Sequence, residues 1–272
     1  MSSKMDFRGR WVLLTGASSG LGLEMARVLA REHGANILAV ARREERLVAL
    51  REELTSKHGV QVVPLVADLA RPGEPKRLFE AAVAGREVHG AILNAGVTFY
   101  GRALEQSPED FQAMLATNVS SLVELSRHFA SHLSAHRTPG GLMLVSSMAG
   151  FSPLPYQTAY AATKAFVISY GRGLAYELRD AGVSVTVFAP GGIATEMLEV
   201  SGLSRKFKAG DLGIMPADTC ARLAVDAFAR RRELYVPGLL NRFLALAMKV
   251  LPQGFLISRS AALYAGGLKP GP

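Results

Sequence analysis

The sequence predicts an α/β fold: a doubly wound, mostly parallel seven-stranded sheet with helices on both faces. This is a single domain with an apolar, basic helical tail at its C-terminus. Three observations carry that expectation. Short apolar runs alternate with longer amphipathic stretches, and no low-complexity linker separates them. Most runs read VLL, ILAV, LMLV or VTVF, without the polar alternation of a half-exposed sheet, as strands covered on both faces do. Strand and helix in strict alternation then build right-handed βαβ units around one sheet.

Taken in order, the strands are expected at 11–15, 36–41, 60–66, 88–93, 142–146, 183–189 and 234–236. A first helix over 21–33 stops at Gly34, and a second over 44–58 stops at Gly59, glycine being the residue that tolerates a left-handed C-terminal stop. Ser107 with Asp110 caps one long helix that runs to about residue 137 and ends at Pro139-Gly140-Gly141. A further helix over 156–181 ends at Gly182. The main domain is expected over 1–237 and the tail over 238–272.

The composition narrows the function. Of 272 residues 49% are hydrophobic and 20% charged, too apolar and too varied for a disordered chain. A single cysteine, Cys220, excludes an internal disulfide framework, and no Cys/His pairs stand at zinc spacing, so a reducing compartment is expected. The N-terminal MSSKMDFRGRW lacks the apolar core of a secretory signal. No window approaches the roughly 18 consecutive apolar residues of a spanning helix, so a cytoplasmic location is expected.

The net charge is +8, and its distribution says more than its total. Residues 201–272 hold 11 Lys/Arg against 4 Asp/Glu, whereas the first 200 residues are nearly neutral. Such an end region attracts anionic lipid or an acidic carrier. Nucleic acid is set aside, because no helix-turn-helix, zinc or aromatic-platform signature accompanies the charge.

Directly after the first strand comes Thr15-Gly16-Ala17-Ser18-Ser19-Gly20-Leu21-Gly22, opening a helix. Glycines there let the backbone turn sharply and approach a pyrophosphate, which sits at the positive end of the helix dipole. The position between a first strand and a first helix separates this string from an ordinary turn and points to a Rossmann-type dinucleotide fold. After the second strand, where a carboxylate would accept an adenosine ribose 2′-hydroxyl, stand Arg42 and Arg43. A guanidinium suits a 2′-phosphate through bidentate charge-assisted bonds, which favours NADP(H) over NAD(H). The competing reading pairs both arginines with Glu44 and Glu45 on a solvated helix start.

These residues, with the motifs that follow them, resemble the classical short-chain dehydrogenase/reductase family over all but the tail. The glycine string has that family's TGxxxGxG spacing. Asp68-Leu69 follows the third strand and Asn94-Ala95-Gly96 the fourth. Asn118 lies in the long helix, then Ser146-Ser147, Tyr160-Ala-Ala-Thr-Lys164, and Pro190-Gly191 with Ile193 and Thr195. The chemistry is readable beside the resemblance. Tyr160 and Lys164 are four apart on a predicted helix and share a face. A nearby ammonium favours the phenolate and would bring Tyr160 toward the working range for proton transfer.

The resemblance implies an oxidoreductase interconverting a carbonyl and an alcohol. In it Tyr160 passes the proton, Ser147 rather than Ser146 bonds the substrate oxygen, Lys164 also holds the nicotinamide ribose, and Asn118 supports a proton relay through water. It further implies that Gly16, Ser18, Ser19, Gly20, Leu21 and Gly22 lie at the phosphates, and Asp68 and Leu69 by the adenine. Asn94, Ala95 and Gly96 would flank the adenosine half, with Pro190, Gly191, Ile193 and Thr195 at the nicotinamide. The family's other NADP device, a basic residue just before the second glycine, is absent: Ser19 stands there. A homodimer or homotetramer is expected. A non-catalytic nucleotide-binding scaffold on the same fold is the alternative, and it would be marked by loss of Tyr160 or Lys164; both are present.

Substrate residues are expected in loops at the carboxyl ends of the strands. Those loops offer Val97, Phe99, Tyr100, Phe151, Leu154 and Tyr156, then a lid over 196–215 with Met197, Leu198, Val200, Leu203 and Phe207. Phe99, Phe151, Tyr156 and Met197 are the foremost candidates. Apolar side chains with few acids argue for a lipophilic carbonyl compound over a free sugar. Arg205, Lys206 and Lys208 in the lid suit a solvated loop, an acyl-CoA phosphate or an acidic acyl carrier.

His128, His132 and His136 recur every four residues with Glu124 one turn earlier. A polar or subunit-contact face is preferred over a metal site, since closed sites draw ligands from more than one element, and no metal is expected. Cys220 reads as a small buried residue. In the tail Leu239, Leu240, Phe243, Leu244, Ala247, Val250 and Leu251 fall on one apolar helical face, and 238–268 carries Arg242, Lys249, Arg259 and no acid. That face suits either packing on the domain, the cleft or a subunit, or peripheral attachment to an anionic membrane.

Overall fold

Among the described residues there are nine strands, the first of them leading into the glycine turn. They are β1 (Trp11–Thr15), β2 (Asn36–Ala41), β3 (Val62–Val66), β4 (Val88–Leu93), β5 (Gly141–Val145), β6 (Ser184–Phe188), β7 (Gly192–Ala194), β8 (Ile214–Pro216) and β9 (Leu234–Tyr235). The computed structural model describes residues 4–135, 140–207, 210–211 and 213–268. All but β7 and β8 form one parallel sheet in the order β3-β2-β1-β4-β5-β6-β9. The order reverses between β1 and β4, and a crevice opens there at the carboxyl ends of the strands. β7 and β8, a parallel pair of three residues each, lie outside the expected strands.

The helices are α1 (Gly20–His33), α2 (Glu44–His58), α3 (Glu74–Val83), α4 (Pro108–Leu115), α5 (Ser121–Ala135), α6 (Thr158–Glu177), α7 (Glu196–Val200), α8 (Ala217–Ala229), α9 (Leu239–Val250) and α10 (Gln253–Ala265). Gly34 and Gly59 end α1 and α2 in the left-handed conformation, as their positions require. Alternate strand residues feed two cores. Leu14, Ile37, Ala39, Ile92 and Met143 pack with α1, α2 and α8, while Leu13, Leu38, Val40, Ala91 and Leu93 pack with α3, α5 and α6. Burial on both faces is why the strands carry no polar alternation.

Two expected helices differ. The long one is not uniform: a π-turn over Ala116–Ser120 separates α4 from α5, and Asn118 sits in it. α6 closes at Glu177, and the chain turns through 178–181 to Gly182.

In the tail, α9 divides between a seam against the domain and an exposed apolar face. On α9 the buried positions are Asn241 and Ala245, with Met248 partly buried one turn on. Leu239, Leu240, Phe243, Leu244, Val250 and Leu251 are exposed instead. Close approach explains the choice of residues: Asn241 lies so near Gly191 that an added Cβ there would stand 2.8 Å from its Nδ2. Short or polar side chains fit that seam, Leu244 and Met248 reach the cleft, and Leu239, Phe243 and Val250 turn outward.

Candidate active site

A cleft of about 580 Å³ runs along the carboxyl ends of the strands. At one end the glycine turn is closed against the chain. Gly16 has φ +71°, and a Cβ on Gly22 would stand 2.1 Å from the Gly16 carbonyl oxygen. Thr15 Oγ1 accepts hydrogen bonds from Asn94 N and Ala95 N, both at 2.9 Å, and Asn94 Nδ2 donates to Thr15 O at 2.9 Å. The ends of β1 and β4 are thereby tied. Ser19 precedes α1 without a side-chain cap, the first turn of α1 holds no acid, and Ser19, Gly20, Leu21 and Gly22 line the cleft, which suits an anion at the helix start.

Ser18, Ser19, Gly20, Leu21, Arg42, Arg43, Asp68, Leu69, Ala95 and Gly96 line this end. Arg43 does not pair with its neighbours Glu44 and Glu45. Its guanidinium donates to Ser19 Oγ at 2.9 Å, Ser18 Oγ at 3.2 Å and Glu196. A turn closed on glycine, an uncapped helix start and two arginines at the rim fit the pyrophosphate and 2′-phosphate of a dinucleotide.

At the other end Ser147 follows β5 and caps a 3₁₀ turn, Met148–Phe151, accepting from Ala149 N at 3.1 Å. Ser146 is committed elsewhere, its hydroxyl donating to Lys164 O at 2.7 Å. Tyr160 and Lys164 rise from the first turns of α6 into the same end. Pro190, Gly191, Ile193 and Thr195 complete the wall.

The electrostatics differ from expectation. Desolvation in the cleft pushes the Tyr160 phenol above its ordinary value of 10.0, and a hydrogen bond with Ser147 works against it. Lys164 does not pull it down. Its Nζ donates to Val145 O at 3.0 Å and stands 5.7 Å from the Tyr160 ring centroid. Burial lowers Lys164 itself to about 8.

Asn118 is buried behind this wall and does not line the cleft; its neighbour Thr117 does. Its Oδ1 accepts from Val97 N at 2.9 Å, and its Nδ2 donates to Val97 O at 2.9 Å and Thr163 Oγ1 at 3.1 Å. Thr163 Oγ1 donates in turn to Tyr160 O at 2.7 Å. Both amide protons are thus used within the protein. Asn118 joins the loop after β4 to the first turn of α6.

Of the foremost substrate candidates only Met197 reaches the cleft. Phe151 turns into a small core with Met148, Val236 and Ala245. Tyr156, at φ +66°, faces a separate hollow with Arg102 and Pro153. Phe99 lies against Gly101, whose N–H donates to Tyr156 O at 3.0 Å and pins that loop. Its neighbour Tyr100 is the one turned inward, its hydroxyl donating to Tyr264 O. The roof of this end comes from Leu198, Leu203 and Phe207 of the lid, with Leu244 and Met248 of α9 and Leu256, Leu263 and Tyr264 of α10. Of these Met248 and the α10 residues are not singled out by the sequence, although 256, 260, 263 and 264 have helical spacing. Lys208 lies outside the described residues.

The histidines are packed rather than gathered. His128 stacks on Phe79 of α3 at 4.9 Å and His132 meets the same ring edge-on at 6.1 Å, while His136 lies outside the described residues. Among the described residues no three potential ligands come together for a metal. Cys220 is buried, and its thiol is pushed up to about 12.

Residues 10–205 match the short chain dehydrogenase family. The chain belongs to that family and is an oxidoreductase of its type. It is 29% identical to 17-beta-hydroxysteroid dehydrogenase type 3 of Rattus norvegicus, over 81% of this chain and 74% of that protein. It is also 29% identical to the very-long-chain 3-oxoacyl-CoA reductase of Anas platyrhynchos, over 71% of this chain; it spans 62% of that protein's length. Among solved structures, a short-chain dehydrogenase from Sphingobium yanoikuyae in complex with NADPH superimposes with a TM-score of 0.79. That match is 30% identical and covers 90% of this chain and 97% of the other.

Proposed function

We propose that the chain is an NADP(H)-dependent oxidoreductase that interconverts a carbonyl and an alcohol on a lipophilic substrate. The observation that carries this reading is one cleft with Ser147, Tyr160 and Lys164 at one end and Arg42, Arg43 and Asp68 at the other. The glycine turn and the start of α1 would hold the pyrophosphate, the arginines the 2′-phosphate, Asp68 and Leu69 the adenine. Asn94 to Gly96 would flank the adenosine half, and Pro190, Gly191, Ile193 and Thr195 the nicotinamide, which when bound supplies or accepts the hydride.

In reduction Ser147 Oγ holds the substrate oxygen and Tyr160 gives it a proton as the carbonyl carbon gains hydride. The C=O bond becomes CH–OH, and a phenolate remains on Tyr160. A raised phenol is protonated at neutral pH, the state this step requires. Lys164, anchored on the Val145 carbonyl, has N–H groups left for the ribose. Asn118 and Thr163 act as positioning residues for α6.

The apolar roof supports a lipophilic substrate, as do relatives named for steroids and very-long-chain acyl groups. Following NADPH oxidation with ketones and aldehydes of graded chain length tests the reading. kcat/KM should climb with apolar size, and NADPH should bind more tightly than NADH. A protein that reduces only small sugars, or binds both cofactors equally, does not fit it.

The reading extends to a homodimer or homotetramer in the cytoplasm, in peripheral contact with anionic membrane or an acidic acyl carrier. Phe111 and Phe166, exposed on α4 and α6, support a self-contact on those helices. No helix among the described residues is long and apolar enough to cross a membrane. Leu239, Phe243, Leu246, Val250 and Phe255 are more than half exposed beside Arg242, Lys249 and Arg259, with no acid in 238–268. That pairing of apolar surface with positive charge favours anionic lipid on the outer face of the roof. Full-length protein should pellet with phosphatidylserine liposomes at low salt and less at high salt. A supernatant protein of defined dimer mass would assign the face to a second copy.

A further inference from the structure

Glu196 opens α7, the first helix of the lid, far along the chain from the second strand, yet its carboxylate lies at the cofactor end of the cleft. Arg43 grips it in a fork, Nη1 to Oε1 at 3.1 Å and Nη2 to Oε2 at 3.2 Å. Arg46, one turn along α2, adds contacts to both oxygens at 3.1 and 3.4 Å. The same Arg43 Nη2 that holds Glu196 also holds Ser18 and Ser19 of the glycine turn. Ser19 is where related NADP-binding chains would place their own basic residue, and here a guanidinium from β2's end fills that space.

A planar guanidinium fork accepts a carboxylate or a phosphate by the same bidentate geometry, so the two are competitors for it. Between two arginines Glu196 is held down at about 2 and is an anion throughout the working range. A phosphate monoester brings between one and two negative charges and three acceptor oxygens, against one charge and two oxygens for the carboxylate. A ribose 2′-hydroxyl brings no charge and cannot displace it.

Resting on the cofactor reading above, we propose that Glu196 is a built-in competitor for the 2′-phosphate of NADP(H), seated on Arg43 in the free chain and displaced when that phosphate binds. Glu196 thereby sets how strongly the chain prefers NADP(H) to NAD(H), holding the preference below what Arg43 alone would confer. It is a specificity-determining residue for the cofactor, although it touches neither the nicotinamide nor the substrate end.

Calorimetric titration with adenosine 2′,5′-bisphosphate and adenosine 5′-monophosphate isolates the 2′-phosphate without any turnover. Glu196→Gln keeps the size of the side chain, removes its charge and replaces one of its two acceptor oxygens with a donor NH2, which weakens its hold on the guanidinium. It should tighten the bisphosphate by about fivefold, the upper range for a half-exposed ion pair, and leave the monophosphate unchanged. Arg43→Met should close the gap between the two ligands, and in that background Glu196→Gln should no longer tighten the bisphosphate. Unchanged or weaker bisphosphate binding in Glu196→Gln would overturn the proposal and make Glu196 a support that positions Arg43. Tightening that persists at full size without Arg43 would overturn it in favour of plain long-range repulsion. An unmutated protein that binds the two ligands equally defeats the cofactor reading, and this proposal with it; unequal binding with an unresponsive Glu196 defeats this proposal alone.

Discussion

The two ends of the cleft are built on different principles. At the cofactor end the wall is mainly backbone: the glycine turn, the start of α1, and the tied ends of β1 and β4. At the substrate end it is mainly side chains delivered by a lid and by two helices of the tail. Backbone walls tolerate little change in shape, because an added atom meets main chain that cannot give way. Side-chain walls tolerate a great deal and change selectivity instead. The backbone end therefore suits the pyrophosphate that dinucleotides share, and selectivity is left to side chains.

Removing the proton that joins the two ends should have the largest effect. Tyr160→Phe keeps the ring and deletes the hydroxyl, and should lower kcat by about a thousandfold, within the range for general acid catalysis. NADPH affinity should stay within about twofold of the unmutated protein, because the change removes the reacting hydroxyl and leaves the ring in place. Stopped-flow turnover beside a fluorescence titration checks both. A folded Tyr160→Phe protein with normal turnover would remove Tyr160 from the mechanism.

The backbone end should break next. Gly22→Ala puts a Cβ against the Gly16 carbonyl oxygen at 2.1 Å and must open the turn. Affinity for NADPH and NADH should fall together, by about tenfold or more, since the pyrophosphate cradle serves both. A loss confined to NADPH would show that the turn reads the 2′-phosphate rather than the pyrophosphate.

This contrast explains what the chain disclosed in advance. Residues at fixed spacing around strand ends are the legible ones: Gly16, Asp68 and Asn94 at the cofactor end and Ser147, Tyr160 and Lys164 at the other all line the cleft. The rest depends on which side of an irregular loop faces inward. Phe99 and Tyr100 are neighbours of similar size in a loop with no period, and only the contact with Tyr264 turns Tyr100 in. Glu196 was invisible for another reason: its partners Arg43 and Arg46 come from an element some 150 residues earlier. The π-turn at Asn118 carries no breaker residue, since ATNVS reads as ordinary helix. In the tail the apolar period was real, but the seam beside Gly191 selects Asn241 and Ala245 over the larger side chains.

The side-chain end should respond more gently and more selectively. Met248→Ala enlarges the roof where α9 meets the cleft. kcat/KM for long apolar substrates should drop by about tenfold, the scale of a few methylene contacts, while short substrates and NADPH affinity stay unchanged. An equal loss for short and long substrates would place Met248 in the general support of the fold.

The smallest effect concerns protons at the junction of the two ends. Burial lowers Lys164 from its ordinary 10.5 to about 8 in the free chain. Above that pH the group has lost its proton, and an anionic cofactor meets a neutral amine instead of an ammonium. NADPH affinity should weaken by a few-fold between pH 7 and 9, with binding near pH 8 taking up a fraction of a proton, since a nearby anion favours the charged lysine. Stability should move the opposite way. A folded value below the unfolded one means that the charged form favours unfolding, so the contribution of Lys164 to stability is complete above 10.5. It is lost as pH falls through 8. Raising the pH from 8 to 10.5 therefore strengthens the free fold through this group while loosening its grip on the cofactor. Lys164→Met should flatten both trends, read as the difference between the two proteins in melting temperature and in NADPH titrations across that range. If Lys164→Met leaves the pH dependence of NADPH affinity intact, the proton belongs to another group, and the ammonium acts only as a fixed donor to the ribose.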